Sequence, residues 1–196
     1  MASSKTRRRN GQNAQSQLRI IAGRWRGRKL TFIPAEGLRP TSDRVRETLF
    51  NWLSPAINDA RCADLFAGSG ALGLEALSRG ARFCDFIDTS QGAVRQIGEH
   101  LRKLEAVSQG DCHCLSASQY LTTVQQQLDI AFIDPPFGKG LVLPTCLELA
   151  ASDLLSPQAL VYVESPAEEA LTNLPSGWQA HREKIAGNVA YRLFTT

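Results

Sequence analysis

The sequence predicts an α/β fold built on a doubly wound, Rossmann-like sheet that is mostly parallel. Three observations carry the prediction. From Cys62 onward, short apolar runs alternate with segments of helical spacing, the pattern of consecutive βαβ units. A glycine-rich turn over Gly68, Gly70 and Gly73 joins the first such run to the first such helix. Near the C-terminus, 179–185 and 189–194 read as two strands around Gly187-Asn188, an antiparallel hairpin that closes the sheet.

Taken in order, residues 1–17 are Ser, Asn, Gln and Arg with almost nothing apolar, and are expected to be a disordered basic tail. Leu18–Ile21 and Lys29–Ile33 read as a short hairpin with basic residues in and around its turn. Leu38 to Asp43 supply a turn and a helix N-cap. Val45, Leu49, Trp52 and Leu53 then recur at helical spacing over 43–53, and Pro55 ends the helix. Residues 18–55 are thus expected to form a small hairpin-helix extension, and 56–196 the main domain. Within that domain the expected strands are 62–66, 83–87, 113–115, 129–133 and 160–164. The expected helices are 71–79, 92–104, 118–127 and 141–151.

Composition narrows the function. At 43% hydrophobic and 21% charged, the chain is ordinary for a soluble globular protein, and no apolar run reaches membrane-helix length. Five cysteines without a CxxC pair argue against a disulfide framework and a zinc site, and fit core thiols in a reducing cytosol. The net charge of +3 conceals an asymmetry: residues 1–35 carry nine Lys or Arg and no acid, and the rest of the chain is net acidic. A basic arm on an acidic body suits a polyanion partner. Arg24, Trp25, Arg26, Arg28 and Lys29 combine cations with a ring that could stack on bases. With Arg7, Arg8, Arg9 and Arg39 they are the candidate RNA contacts, and Arg44 and Arg46 could extend that surface.

Two motifs carry chemistry. Asp64-Leu65-Phe66-Ala67-Gly68-Ser69-Gly70-Ala71-Leu72-Gly73 runs from strand to helix, and Asp88 ends the second strand twenty positions after Gly68. Glycines let a ligand approach the backbone and the helix N-terminus, while Asp88 can accept from ribose hydroxyls. The glycines alone suit a dinucleotide equally well. Asp64 shifts the balance, because a carboxylate there repels a pyrophosphate and favours the ammonium and sulfonium of S-adenosylmethionine. Asp134-Pro135-Pro136-Phe137 follows the strongest strand. The Asp134 carboxylate and Pro135 carbonyl can hold the N–H bonds of an exocyclic base amine, a poor nucleophile that needs orienting. The prolines stiffen these acceptors, and Phe137 offers a face to a flipped base.

With those motifs, Arg19-Ile20-Ile21-Ala22-Gly23, Trp25-Arg26-Gly27-Arg28, Leu38-Arg39-Pro40-Thr41, Asp43-Arg44-Val45-Arg46-Glu47 and Gly187 with Tyr191-Arg192 complete a resemblance. The chain resembles the bacterial 16S rRNA guanine-N2 methyltransferases of the RsmD type over roughly 18–194. The resemblance implies a class I methyltransferase fold, S-adenosylmethionine as donor and the N2 amine of a specific guanine in 16S rRNA as acceptor. It assigns Asp64, Gly68, Gly70 and Asp88 to the cofactor and Asp134 and Phe137 to the acceptor; Phe66 in the loop and the Pro135 carbonyl join them as candidates. Related enzymes often place Asp or Asn beside the adenine near the end of the third strand, where this chain offers Ser116 and Ala117, with Asp111 some residues earlier. The implied partner is 16S rRNA or a small-subunit assembly particle, met by a cytoplasmic monomer without membrane or metal. Two other functions stay open: an adenine-N6 methyltransferase acting on DNA or RNA, and an RNA-binding assembly factor without catalysis. A protein glutamine methyltransferase fits less well. His100, His113 and His181 belong to no catalytic constellation, and Trp178 and Tyr191 are expected to pack.

Overall fold

The computed structural model describes residues 16–32 and 42–196. Strands β1 (Ser16–Arg19) and β2 (Lys29–Phe32) pair antiparallel as a separate hairpin. Helix α1 (Asp43–Leu53) starts at Ser42, whose hydroxyl accepts from the Val45 amide. Then come β3 (Arg61–Asp64), α2 (Ala71–Ser78), β4 (Phe83–Asp88), α3 (Gln91–Lys103), β5 (Gly110–Cys114) and α4 (Ala117–Thr123). The chain continues through β6 (Leu128–Ile133), α5 (Val142–Ala151), β7 (Leu155–Pro166), β8 (Gln179–Ala186) and β9 (Val189–Thr195).

The seven-stranded sheet has the order β5-β4-β3-β6-β7-β9-β8, with β7–β9 and β9–β8 antiparallel and the rest parallel. The chain builds outward from β3 to β5, then crosses back to place β6 on the other side of β3. That reversal opens a crevice at the carboxyl ends of β3 and β6, where open α/β sheets bind ligands. One core lies between the sheet and α1, α2 and α3; a second lies under α4 and α5.

Helix α2 is buried on every side. A Cβ at Gly73 would lie 2.3 Å from a Phe86 ring carbon, so the third glycine of the loop lets α2 rest on β4. On its other side α2 carries the N-terminal hairpin. Leu18, Ile20, Trp25, Leu30 and Phe32 enter the same core as the sheet. Gly23, at φ +79°, brings the chain so close that a Cβ would meet the Ser78 carbonyl oxygen at 1.8 Å.

Several expectations are corrected. Ser16 and Gln17, assigned to the tail, lie in β1. The third strand of the main domain starts earlier than 113, at Gly110, because Ser116 is already a helix cap. The helix expected over 118–127 ends at Thr123. Strand β7 extends well before 160, through Pro157 and Gln158, the latter at φ +64°. Ile33, the Leu38–Thr41 turn, Arg39 and the tail cations Arg7, Arg8 and Arg9 lie outside the described residues.

Candidate active site

Asp64 closes β3 and turns its side chain under the glycine loop. It is 1% exposed, and its Oδ2 accepts from the Gly73 amide at 3.1 Å. The loop climbs through Gly68 and Gly70, both at positive φ, a region costly for other residues. Asp88, at the end of β4, ties the loop down: its Oδ2 accepts from the Gly68 amide at 2.9 Å, and its Oδ1 from Ser90 at 2.7 Å. A carboxylate has about four acceptor positions, so Asp88 can still meet ribose hydroxyls. Asp134 follows β6 next to β3, with Pro135 buried and Phe137 exposed by 40%. Phe66 is half-buried beside the loop.

The electrostatics bind these acids into one site. Burial pushes the Asp64 carboxyl up to about 7, helped by the charges of Asp134 and Asp88 and opposed by the Gly73 amide. Three carboxyls sharing a field at a sheet crevice disfavour an anionic ligand and favour a cationic one. The donor set therefore fits S-adenosylmethionine: Asp64 would meet its cationic end and Asp88 its ribose. Ser116 stands at the same edge, two residues beyond Cys114, which pairs with Asp88 in register. Its hydroxyl caps α4, accepting from Gln119 in a full capping box, so its role in the fold is settled by that cap.

The other candidates divide. Arg24, Arg26, Arg28 and Lys29 are exposed, but at the opposite edge of the sheet. The Arg24 amide donates to the Ser78 carbonyl at the end of α2, and Arg28 Nη1 donates to the Lys103 carbonyl at the end of α3. Helix α3 leaves the carboxyl edge of the sheet just after Asp88 and runs thirteen residues, so the basic turn lies roughly 20 Å from that edge along it. Trp25 corrects its expectation: it is 7% exposed and packed in the core, with the Arg24 guanidinium 3.9 Å from its ring centroid. The ring is not displayed for stacking on a base. Arg46 is 1% exposed and belongs to no outer surface. It donates to the Arg19 carbonyl at 2.9 Å and to Asp43 at 2.7 Å, and sits 3.7 Å from the fully buried Glu75.

His100 is buried against the Thr31 carbonyl at 3.0 Å, and His113 meets Asp85 at 2.9 Å. Asp85, Asp111 and His113 gather within 4.8 Å, where the cation in contact is Arg61, 2.7 Å from Asp85. Tyr191 stacks on Trp52 and Trp178 packs on Phe194. Sequence reasoning missed Glu75 and Glu164, two buried acids. Glu75 lies inside the helix of the glycine loop, and an acid in an otherwise apolar helix was the signal available.

Fold and crevice define a methyltransferase of the class I, Rossmann-like type. Over residues 18–195 the chain matches the family described as conserved hypothetical protein 95, and it belongs to that family. It is 48% identical over 184 residues to the ribosomal RNA small subunit methyltransferase D of Escherichia coli K12, covering 93% of this chain and 91% of the relative. It is 44% identical to the protein of that name from Haemophilus influenzae, covering 93% and 95%. The solved structure of Escherichia coli yhhF superposes with a TM-score of 0.84 at 46% identity, over 92% of this chain and 98% of that one.

Proposed function

We propose that this chain methylates the N2 amine of a specific guanine in 16S rRNA, using S-adenosylmethionine. The observation that carries the reading is Asp134 with its two prolines at the crevice, within the field of Asp64. Relatives named for ribosomal RNA of the small subunit support the RNA as substrate. When bound, the cofactor supplies an electrophilic methyl on a sulfonium. Asp64, Phe66, Gly68, Gly70, Asp88 and Ser116 are the proposed donor-side residues. Asp134 and the Pro135 carbonyl orient the amine, Asp134 stabilises the positive charge that grows on nitrogen, and Phe137 stacks on the base. The proposed setting is cytoplasmic, on 16S rRNA or an assembling small subunit. The test supplies labelled donor and total RNA from a strain lacking the gene, then analyses nucleosides. N2-methylguanosine in 16S rRNA supports the reading; N6-methyladenosine or an unlabelled product overturns it.

Cofactor binding should depend on pH through Asp64. Its folded pKa of about 7 lies above the ordinary carboxyl value, so the empty protein binds a proton there that the unfolded chain releases. Stability of the empty protein is therefore highest below the ordinary pKa, falls as pH rises toward about 7, and is level beyond. A cationic ligand favours the ionised form. Affinity should rise with pH up to about 7, below the range near 8 where an α-amine loses its proton. Calorimetry in buffers of different ionisation enthalpy should detect proton release, and Asp64→Asn should abolish it. Affinity independent of pH from about 6 to 7.5 would refute the assignment.

The basic turn is proposed to hold RNA phosphates away from the reacting base, together with Arg39 and the tail cations Arg7, Arg8 and Arg9. Exchanging Arg24, Arg26, Arg28 and Lys29 for Gln should raise KM for RNA. It should also flatten the slope of log affinity against log salt by up to about three units, at roughly 0.7 per phosphate contact. An unchanged slope would make the turn a solubility feature.

A further inference from the structure

Glu164 stands beside the acceptor motif and has no part in the chemistry above. Strands β6 and β7 are parallel, with Ile133 opposite Val163. The next residues along, Asp134 and Glu164, are therefore neighbours at the carboxyl edge, on backbones about 4.8 Å apart. Glu164 is 4% exposed, an unusual burial for a carboxyl. The fully buried Tyr162 donates its hydroxyl to Glu164 Oε1 at 2.7 Å. That phenol is pushed up by burial first, then by the charges of Glu164 and, further off, Asp134. The hydroxyl thus bonds one carboxyl and lies in the field of the other, on the sheet face that also carries Asp64. The Tyr162 hydroxyl fixes one oxygen of a carboxylate that has about four acceptor positions.

The two purines differ at the edge such a pair would meet. Guanine presents the N1–H beside the N2 amine, two neighbouring donors. Adenine presents an N1 lone pair beside its N6 amine, a donor next to an acceptor. Two adjacent carboxylates match the first edge and repel the lone pair of the second. We propose that Glu164 is the guanine-selecting residue, accepting from N1–H while Asp134 accepts from the N2 amine. This rests on the guanine-N2 reading above and adds to it the group that rejects adenine. Tyr162 is the positioning residue that aims the Glu164 carboxylate.

The test uses the full chain and 16S rRNA ligated to carry either guanine or 2-aminopurine at the position the parent methylates. 2-Aminopurine keeps the N2 amine but offers a lone pair at N1. The parent should prefer guanine by about 10²-fold or more in kcat/KM, as expected when a site's polar group is left facing the wrong partner. Glu164→Leu should lower kcat/KM for guanine by about 10²-fold and shrink the preference. Glu164→Gln, whose amide can accept from guanine or donate to 2-aminopurine, should keep more guanine activity than the Leu variant and also lose preference. Thermal melting and cofactor affinity show whether each variant is folded, and if the Leu variant is not, the Gln variant decides. Variants that lose activity on both bases alike, with the preference intact, overturn the role of Glu164. A parent that forms no N2-methylguanosine overturns the guanine reading itself, and the two failures are told apart by the parent alone.

Discussion

Asp134→Ala should slow methyl transfer by roughly 10²- to 10³-fold, the loss typical of a preorganised polar group aimed at developing charge. Without that carboxylate the acceptor amine keeps its lone pair delocalised into the ring and has no partner for the charge that grows on nitrogen. Asp134→Asn keeps an acceptor oxygen without the charge and should fall between the alanine variant and the parent. Cofactor affinity gives a second readout. Asp134 is one of the charges that hold Asp64 up to about 7, so its removal should move the pH dependence of cofactor binding downward. Single-turnover rates at saturating donor, with calorimetry over the same pH range, check both effects. A near-parental rate for the alanine variant would place the acceptor elsewhere; an unmoved pH midpoint would separate the two carboxyls electrostatically.

The placement of the candidate site was legible in the sequence because its residues sit where strands end. Asp64, Gly68, Gly70, Asp88 and Asp134 are short-range signals, each tied to one strand-to-helix junction. The N-terminal blocks were harder to interpret for the opposite reason. Trp25 between arginines reads locally as a stacking platform, yet the hairpin must bury Leu18, Ile20, Leu30 and Phe32 against α2 and α3, and Trp25 goes in with them. Nothing local distinguishes a ring that faces RNA from one that faces a helix fifty residues on. Arg46 was misplaced in the same way: its partners are Arg19, Asp43 and Glu75, on three different segments. Glu164 was hidden inside an apolar strand, where its significance depends on register with β6.

The largest effect on stability should come from Glu75. Its carboxylate is 0% exposed and accepts from the Ile21 amide at 2.8 Å, the Ala22 amide at 3.0 Å and Arg79 Nε at 2.8 Å, with Arg46 alongside. Ser78, one turn on, donates to the Ala22 carbonyl at 2.6 Å and accepts from the Trp25 amide at 3.1 Å. The hairpin is thereby clasped to the helix that follows the glycine loop. Removing one member of a buried ionic group leaves the others desolvated and unmatched, at a cost of about 3–5 kcal/mol. Glu75→Ala and Arg46→Met should each lose about that much, lowering Tm by on the order of 10 °C for a chain of this size. Asp43→Ala touches the same arginine, but at a carboxyl 55% exposed, and should cost under about 1 kcal/mol. The double variant should lose less than the sum of its parts, because the two charges strand each other only when one remains. Urea unfolding of the parent and the four variants measures this directly. If Glu75→Ala were as mild as Asp43→Ala, the clasp would be incidental. If it is severe, Arg46 and the backbone of 21–25 hold the basic turn and α2 in one rigid body, and that packing, more than RNA contact, explains why Gly23 and Arg46 stand where they do.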